Sequence, residues 1–358
     1  MRNSGLNVAL IDKAVFPRDK VCGDAIPGRA IKTLKNIDPV FEDLFKKFRN
    51  KCETQKTRLY YRERKITFNW VREAYTCTRM EFDNFLYTLV KTYTGTKIFS
   101  NTLPDLFIKN ENGFSITIKN SSQVFKTRVL IGADGAQSVV AKQLTNKTID
   151  RDHYVGSVRA YFSNVSNIET NTTEIYFDKK FLPSYLWVFP LPDNTVNVGF
   201  GMLSSEIAKQ KVNIKKVFYD FIEGMPELKL KFEHARQLGE LEGFGLPLGS
   251  KTGILSGDSF LITGDAASLI DPISGDGIGN AMLSGLLAAR QAARCFEADD
   301  FSESFMKQYD DHVTEAIGEE LRTHYKGQRI LSKVPFLLNL VFLMCKNNRL
   351  KQIIQSRL

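Results

Sequence analysis

The chain has 358 residues, 43% hydrophobic and 25% charged, with a formal net charge of +9. Length and composition exclude both a single short domain and a disordered chain, and no fixed-period repeat is visible. The five cysteines (Cys22, Cys52, Cys77, Cys295, Cys345) are odd in number, scattered and without a CxxC pair. That pattern argues against a disulfide framework or a zinc site and for a reducing cytoplasm. No stretch has the layout of a signal peptide, and no apolar run reaches the roughly 20 residues that span a bilayer.

Along the chain, Leu6–Asp12 has the pattern of a buried strand ending in an acid. The segment from Lys13 to Gly28, punctuated by Pro17, Gly23, Pro27 and Gly28, is a loop. The spacing predicts a helix over Arg29–Lys47, an alternating strand over Thr57–Phe68 and a helix over Arg79–Tyr93. Strands follow at Phe114–Lys119 and Arg128–Ile131, the second running into Gly132-Ala133-Asp134-Gly135. A β-rich block comes next, with strands at Gly156–Phe162, Thr173–Phe177, Leu186–Pro190 and Thr195–Phe200. Then come a helix around Asn213–Glu223, a short strand at Phe260–Thr263, and helices over Asn280–Phe296 and Phe301–Lys326. Strand–helix alternation at both ends around a β-rich block predicts an α/β cofactor domain interrupted by a substrate domain. The expected segments are 1–60, 79–150 and 251–300 for the cofactor domain. Residues 61–78 and 151–250 form the substrate sheet, and 301–358 form a helical region with a basic tail.

The positive charge belongs to that tail. Leu321–Leu358 carries eight basic residues and no acid, whereas the rest of the chain has 41 basic against 40 acidic side chains. Within the tail, Val334–Cys345 is apolar apart from Asn339. A basic segment around an oily one suits an anionic membrane surface, and equally a helical cap packed on the domain. No nucleic-acid partner is expected.

The string Gly264-Asp265 through Asp271-Pro272 to Gly275-Asp276-Gly277-Ile278-Gly279-Asn280 carries the chemistry. An acid just after a strand can hold a ribityl hydroxyl. The three glycines allow close backbone approach, and the following helix points its positive end at that spot. A lone Gly-x-Gly would be an ordinary turn, but the whole string asks for more. The four histidines are scattered and suggest neither a metal site nor a triad.

This string resembles the third flavin motif of the glutathione-reductase-like, hydroxylase-type flavoproteins, and other motifs narrow the likeness to the geranylgeranyl reductase family. Phe16-Pro17-Arg18-Asp19-Lys20-Val21-Cys22-Gly23-Asp24 is similar to that family's loop after its second strand. Arg79, with Phe82 and Asp83, resembles its Arg-x-x-Phe-Asp helix start. Asp134-Gly135 with Ser138 resembles its Asp-Gly motif. Tyr185-Leu186-Trp187-Val188-Phe189-Pro190, followed by Val198-Gly199-Phe200-Gly201, resembles its substrate signature.

The resemblance implies a Rossmann-like FAD domain with an inserted antiparallel sheet. It implies that Asp12, Arg18, Arg79, Asp134, Gly135, Asp265, Gly275, Asp276, Gly277 and Ile278 hold FAD. Asp12 would take the adenosine ribose and Arg79 would face the pyrophosphate. It places Cys22, Tyr185 and Trp187 at the active face, beside an isoprenoid pocket. Each also has a plain reading: a strand-end acid, a helix cap, a common turn, a buried thiol or two core aromatics at i, i+2.

The implied reaction is reduction of C=C bonds in a geranylgeranyl-type chain, with electrons from NADPH or a ferredoxin-like carrier. A flavin monooxygenase or halogenase on the same scaffold is the rival, weakened by the lack of a Trp-x-Trp-x-Ile-Pro string. A non-catalytic isoprenoid-binding remnant is another. The family's Gly-x-Gly-x-x-Gly lies roughly 20 residues before the ribose acid. With that acid at position 12 there is no room for it, and no such string occurs elsewhere. The expectation is a chain short of one inner strand and its phosphate helix, through a late start codon or a true truncation, and weakened in flavin binding.

Overall fold

The computed structural model describes residues 2–251, 253–334 and 336–355; Met1, Pro335 of the oily run and Arg357 of the basic tail lie outside them. The first stretch holds β1 (Ala9–Ile11), β2 (Ala25–Ile26), α1 (Gly28–Ile37), α2 (Pro39–Lys47), β3 (Cys52–Tyr61), β4 (Arg64–Thr76) and α3 (Arg79–Tyr93). Then come β5 (Lys97–Phe99), β6 (Pro104–Asn110), β7 (Gly113–Ile118), β8 (Val124–Thr127), β9 (Leu130–Gly132) and α4 (Val139–Thr145). The middle holds β10 (Tyr154–Ser163), β11 (Thr172–Phe177), β12 (Tyr185–Leu191), β13 (Thr195–Leu203), α5 (Ser204–Gln210), α6 (Ile214–Gly224), α7 (Pro226–Phe232) and β14 (Arg236–Pro247). The last part holds β15 (Ser256–Gly257), β16 (Phe260–Ile262), α8 (Ile278–Ala298), α9 (Glu303–Met306) and α10 (Gln308–Val313). It ends with α11 (Glu319–Lys333), α12 (Phe336–Met344) and α13 (Asn348–Gln355).

Two short parallel ladders mark the α/β part. β1 pairs with β5, and β16 pairs with β9 with β15 on its other side. The antiparallel meander β6–β7–β8 stands beside them. The large sheet has eight strands in the order β14-β10-β13-β12-β11-β3-β4-β2. It is antiparallel except at β11–β3, where Thr172–Phe177 runs parallel to Lys56–Tyr61. One core gathers β7, β9, β16, α8 and the following helices. A second lies between the large sheet and α6–α7, and a third joins α1–α3 to β2 and β4. In the third, the Phe45 ring meets Tyr75, Phe82 and Phe85 at 5.3 to 5.6 Å, in the edge-on geometry aromatic pairs favour.

Several expectations change. The strand expected as buried is exposed at Ala9 and Leu10, because β1 pairs along one edge only among the described residues. The helix expected over Arg29–Lys47 is two helices. Pro39 supplies no N–H to continue the first, and Asp38 caps the second by accepting from the Val40 N–H. The strand expected over Thr57–Phe68 is a hairpin, turned at Arg62 with φ of 56°. β14 had no expectation, because Gly239, Gly243 and Gly245 gave it the look of a loop. The helix expected over Phe301–Lys326 is divided into α9, α10, a π turn at Thr314–Gly318 and α11.

Candidate active site

Three loops and the β12–β13 pair converge. The loop after β1 is held to the Gly264–Gly279 segment by Lys20, whose Nζ lies 3.1 Å from Asp265 Oδ2. It is held to the sheet by Asn197, a fully buried residue of β13. The Asn197 Nδ2 donates to the Cys22 carbonyl at 2.7 Å and to Asp24 Oδ2 at 2.8 Å. Its Oδ1 accepts from the Trp187 Nε1 at 2.8 Å. One amide therefore ties the cysteine loop, the buried Asp24 and the Trp187 indole of β12 together. Tyr185, two residues before Trp187, donates from its hydroxyl to the Ser274 carbonyl at 2.7 Å. That bond fixes β12 to the glycine loop.

The glycine loop is braced from inside. Asp271 Oδ1 accepts from the backbone N–H of Ile273 and Ser274 at 2.9 and 2.7 Å, and from the Ser274 hydroxyl. Gly275 has φ of +71°. A Cβ on Gly279 would press on Asp276, Arg29 and Pro27, so the starts of α8 and α1 approach closely only with glycine there. The backbone N–H groups of Gly277 and Ile278, which open α8, find no acceptor among the described residues. Burial pushes the Asp276 carboxyl up to about 6, against the hydrogen bond from the Gly279 N–H.

At the start of α3, Arg79 grips Asp83 through Nε and Nη2, both at 2.8 Å, and Arg18 reaches the same carboxylate at 2.6 Å. Burial would raise the Asp83 carboxyl, but the two guanidinium groups outweigh it and hold it below the usual range. Two arginines on one acid leave the cluster net positive. Burial also raises the Cys22 thiol more than the nearby Arg79 charge lowers it, so it is protonated at neutral pH. Burial, with the Asp271 charge, raises the Tyr185 phenol likewise.

The expected site residues separate into three groups. Cys22, Tyr185, Trp187, Asp265, Gly275, Asp276, Gly277 and Ile278 are joined by the bonds above. Arg18 and Arg79 form a second group on Asp83. Asp134 caps α4, accepting from the Ser138 hydroxyl and from the N–H of Val139 and Val140, next to Gly135 at φ of +80°. Asp12 stands apart: its Oδ1 accepts from the Ala14 N–H, and its backbone pairs with Phe99 and Thr102.

Sequence reasoning passed over four participants. Lys147 Nζ reaches the Ala266 carbonyl at 2.7 Å, within the fields of Asp134 and Asp265, and burial lowers its pKa. Asn197 and His324 sit in unremarkable local contexts and Lys20 is only one letter of its loop motif; the role of each becomes visible only through contacts 53 to 245 residues away in sequence. His324, expected to be one of four scattered histidines, places Nδ1 2.5 Å from Asp271 Oδ2. Asp271, Glu320 and His324 offer ligand atoms within 4.8 Å of one another. These carboxylates are already engaged, Asp271 by the loop and Glu320 by Arg29 Nη2 at 2.5 Å.

Comparison with known proteins shows what the chain is similar to. The geranylgeranyl reductase catalytic domain matches residues 154–236, which cover β10 to the start of β14. A curated digeranylgeranylglycerophospholipid reductase of Methanocella arvoryzae is 32% identical over 233 residues, 64% of this chain and 57% of the relative. The chain thus spans less than two thirds of that relative's length. A geranylgeranyl bacteriochlorophyll reductase-like protein of Thermoplasma acidophilum shares the fold. Its TM-score is 0.78 at 23% identity, covering 92% of this chain and 82% of that one. A halogenase solved in complex with FAD also shares it, with a TM-score of 0.74 at 17% identity over 89% of this chain and 70% of that one. With its sheet, its glycine loop and the matched catalytic domain over residues 154–236, the chain is similar to the geranylgeranyl reductases.

Proposed function

We propose that the protein is an FAD-dependent oxidoreductase that reduces C=C bonds in the geranylgeranyl-type chains of an isoprenoid lipid. The observation that carries this reading is the joining of the substrate strand to the glycine loop, through Tyr185 to Ser274 and through Asn197 to both Trp187 and Cys22. The residues fit a flavin. Gly275 and Gly277 leave a cradle without side chains, the unsatisfied N–H groups of Gly277 and Ile278 suit an anionic or carbonyl edge, and Asp265 suits a hydroxyl. Arg79 and Arg18 would face phosphate charge. A reduced flavin supplies the hydride equivalent when bound.

The chain's own task is to hold the alkene and keep water away. Tyr185, Trp187 and Phe189 provide an aromatic wall along one strand, with neighbouring rings 6.4 and 6.3 Å apart. Protons are available at Cys22 Sγ and the Tyr185 hydroxyl, both protonated at neutral pH. A lipid substrate also requires peripheral contact with a membrane. Among the described residues no helix is long and apolar enough to cross one.

The test is anaerobic turnover of a geranylgeranyl lipid in detergent with dithionite-reduced FAD, followed by mass spectrometry. Two hydrogens gained per double bond is the expected product. A halogenated or oxygenated product formed only in air would overturn the reading. NADPH and a reduced ferredoxin can be told apart as donors by which one bleaches the bound flavin. Asp265→Ala and Arg79→Ala should each weaken FAD binding by about 1–3 kcal/mol, the usual loss for a hydrogen bond involving a charged group. Unchanged affinity in fluorescence titration for both variants would remove these residues from the flavin site.

A further inference from the structure

The C-terminal helices meet the tip of the β3–β4 hairpin, away from the residues discussed so far. α12 is apolar throughout except for Asn339, so its two faces compete for burial. One face wins: Leu338 and Phe342, with Cys345 just beyond the helix, are 7%, 2% and 7% exposed against Tyr61, Ile66 and Phe68. The Tyr61 and Phe342 rings lie 5.8 Å apart, and Arg64 Nη1 holds Asn339 Oδ1 at 2.5 Å. The other face is left in solvent, with Phe336, Leu340, Leu343 and Met344 at 67%, 45%, 42% and 36% exposure. Their spacing of four, seven and eight residues makes them one stripe along the helix. Single exposed apolar residues are ordinary, but a contiguous stripe of four marks an interaction surface.

Charge selects the partner. Lys333 precedes the stripe, and Lys346, Arg349 and Lys351 follow it, with no acid in the tail. The hairpin tip adds Arg62, Arg64 and Lys65 from a part of the chain that is remote in sequence. A groove of about 510 Å³ separates hairpin from tail; Arg64, Lys65, Lys346 and Lys351 line it, Glu63 is its one acid, and its floor is Ile66, Phe342 and Cys345. Lys65, Lys346 and Lys351 have no carboxylate partner among the described residues. Unpaired cations around an oily stripe complement an anionic surface with an apolar interior.

We propose that this face docks on an anionic lipid bilayer. The α12 stripe enters the acyl boundary, and the lysines of hairpin and tail meet the lipid phosphates. Nine helical residues reach only about 14 Å, so α12 lies in the surface plane and does not cross. The proposal deepens the functional reading above, whose lipid substrate is reached from such a surface.

The test is co-sedimentation of the full chain with vesicles free of isoprenoids, of phosphatidylcholine alone or mixed with phosphatidylglycerol. Binding to the mixed vesicles that falls as salt rises is expected. Lys346→Glu combined with Lys351→Glu should weaken it more than tenfold, since each basic residue near the surface contributes about fivefold. Phe336→Asp combined with Leu340→Asp should abolish it. All four side chains are outside the core, and circular dichroism checks that the variants fold. Equal binding to neutral and anionic vesicles, no binding to either, or binding unaffected by both double variants would overturn the proposal. A chain that docks but reduces no prenyl chain in detergent would instead overturn the functional reading.

Discussion

Asp24 is fully buried at the centre of the loop–sheet junction, and it has only donors around it. Tyr161 and Asn197 donate to its Oδ2 at 2.8 Å, and the Arg79 N–H reaches its Oδ1 at 3.2 Å. Burial pushes its carboxyl from 3.8 up to about 6, although the hydrogen bonds and the Arg159 charge pull the other way. The folded chain thus binds this proton more tightly than the unfolded one. Its contribution to stability is full below about pH 4 and is lost as pH rises through about 6, by about 3 kcal/mol in total. Asp24→Asn cannot titrate, and its amide N would face a donor. It should lower stability by about 1–3 kcal/mol and flatten the pH dependence between 4 and 6. Denaturant unfolding of both proteins across that range decides the matter; parallel curves would show that Asp24 does not titrate there. The sequence displayed Asp24 within its loop motif but gave no hint of its burial, because Tyr161 and Asn197 come from distant strands.

At the scale of elements, the β12–β13 pair shows why a glycine sits at position 199 of β13. Trp187 and Gly199 are directly opposed across the antiparallel ladder. A Cβ on Gly199 would fall 2.1 Å from Trp187 Cζ2, so the indole lies over the bare backbone of its partner. Gly199→Ala should displace the ring and cost about 1–3 kcal/mol by overpacking. Gly243→Ala, whose new methyl would have its nearest neighbour 3.7 Å away, should be tolerated. The chain has two tryptophans, so in a Trp70→Phe background the emission reports Trp187 alone. An unshifted spectrum in Gly199→Ala would refute the packing argument. This pair was legible in sequence because alternating apolar residues and glycines mark a strand. β14 was not, since its glycines and charges carry the same local signal as a loop. α3 was legible to its ends because periodicity and the Thr78 cap agree, the Thr78 side chain accepting from the Glu81 N–H.

Across the whole molecule, the loops around the glycine cradle are held by single contacts between distant segments: Lys20 to Asp265, Arg29 to Asn280 and Glu320, and His324 to Asp271. Motif order showed which segments belong together. It could not show these links, because ion pairs and amide bonds have no periodicity to betray them. The same holds for the tail, where the sequence left cap and membrane surface open. The structure gives α12 an inner face that caps the hairpin and an outer one in solvent. The cap has a stability consequence of its own. The cluster of Tyr61, Ile66 and Phe68 is closed by Leu338, Phe342 and Cys345. Leu338→Ala should cost about 2–5 kcal/mol and Phe342→Ala about 3–5 kcal/mol, as large-to-small changes in a closed core do. Phe336→Ala, on the outer face, should stay within about 0.5 kcal/mol of the parent. Deleting 334–358 should bare Tyr61, Ile66 and Phe68 together, lowering the unfolding midpoint and raising binding of an apolar dye. If the deletion left both unchanged, the hairpin would not depend on α12, and the inner face would be no cap.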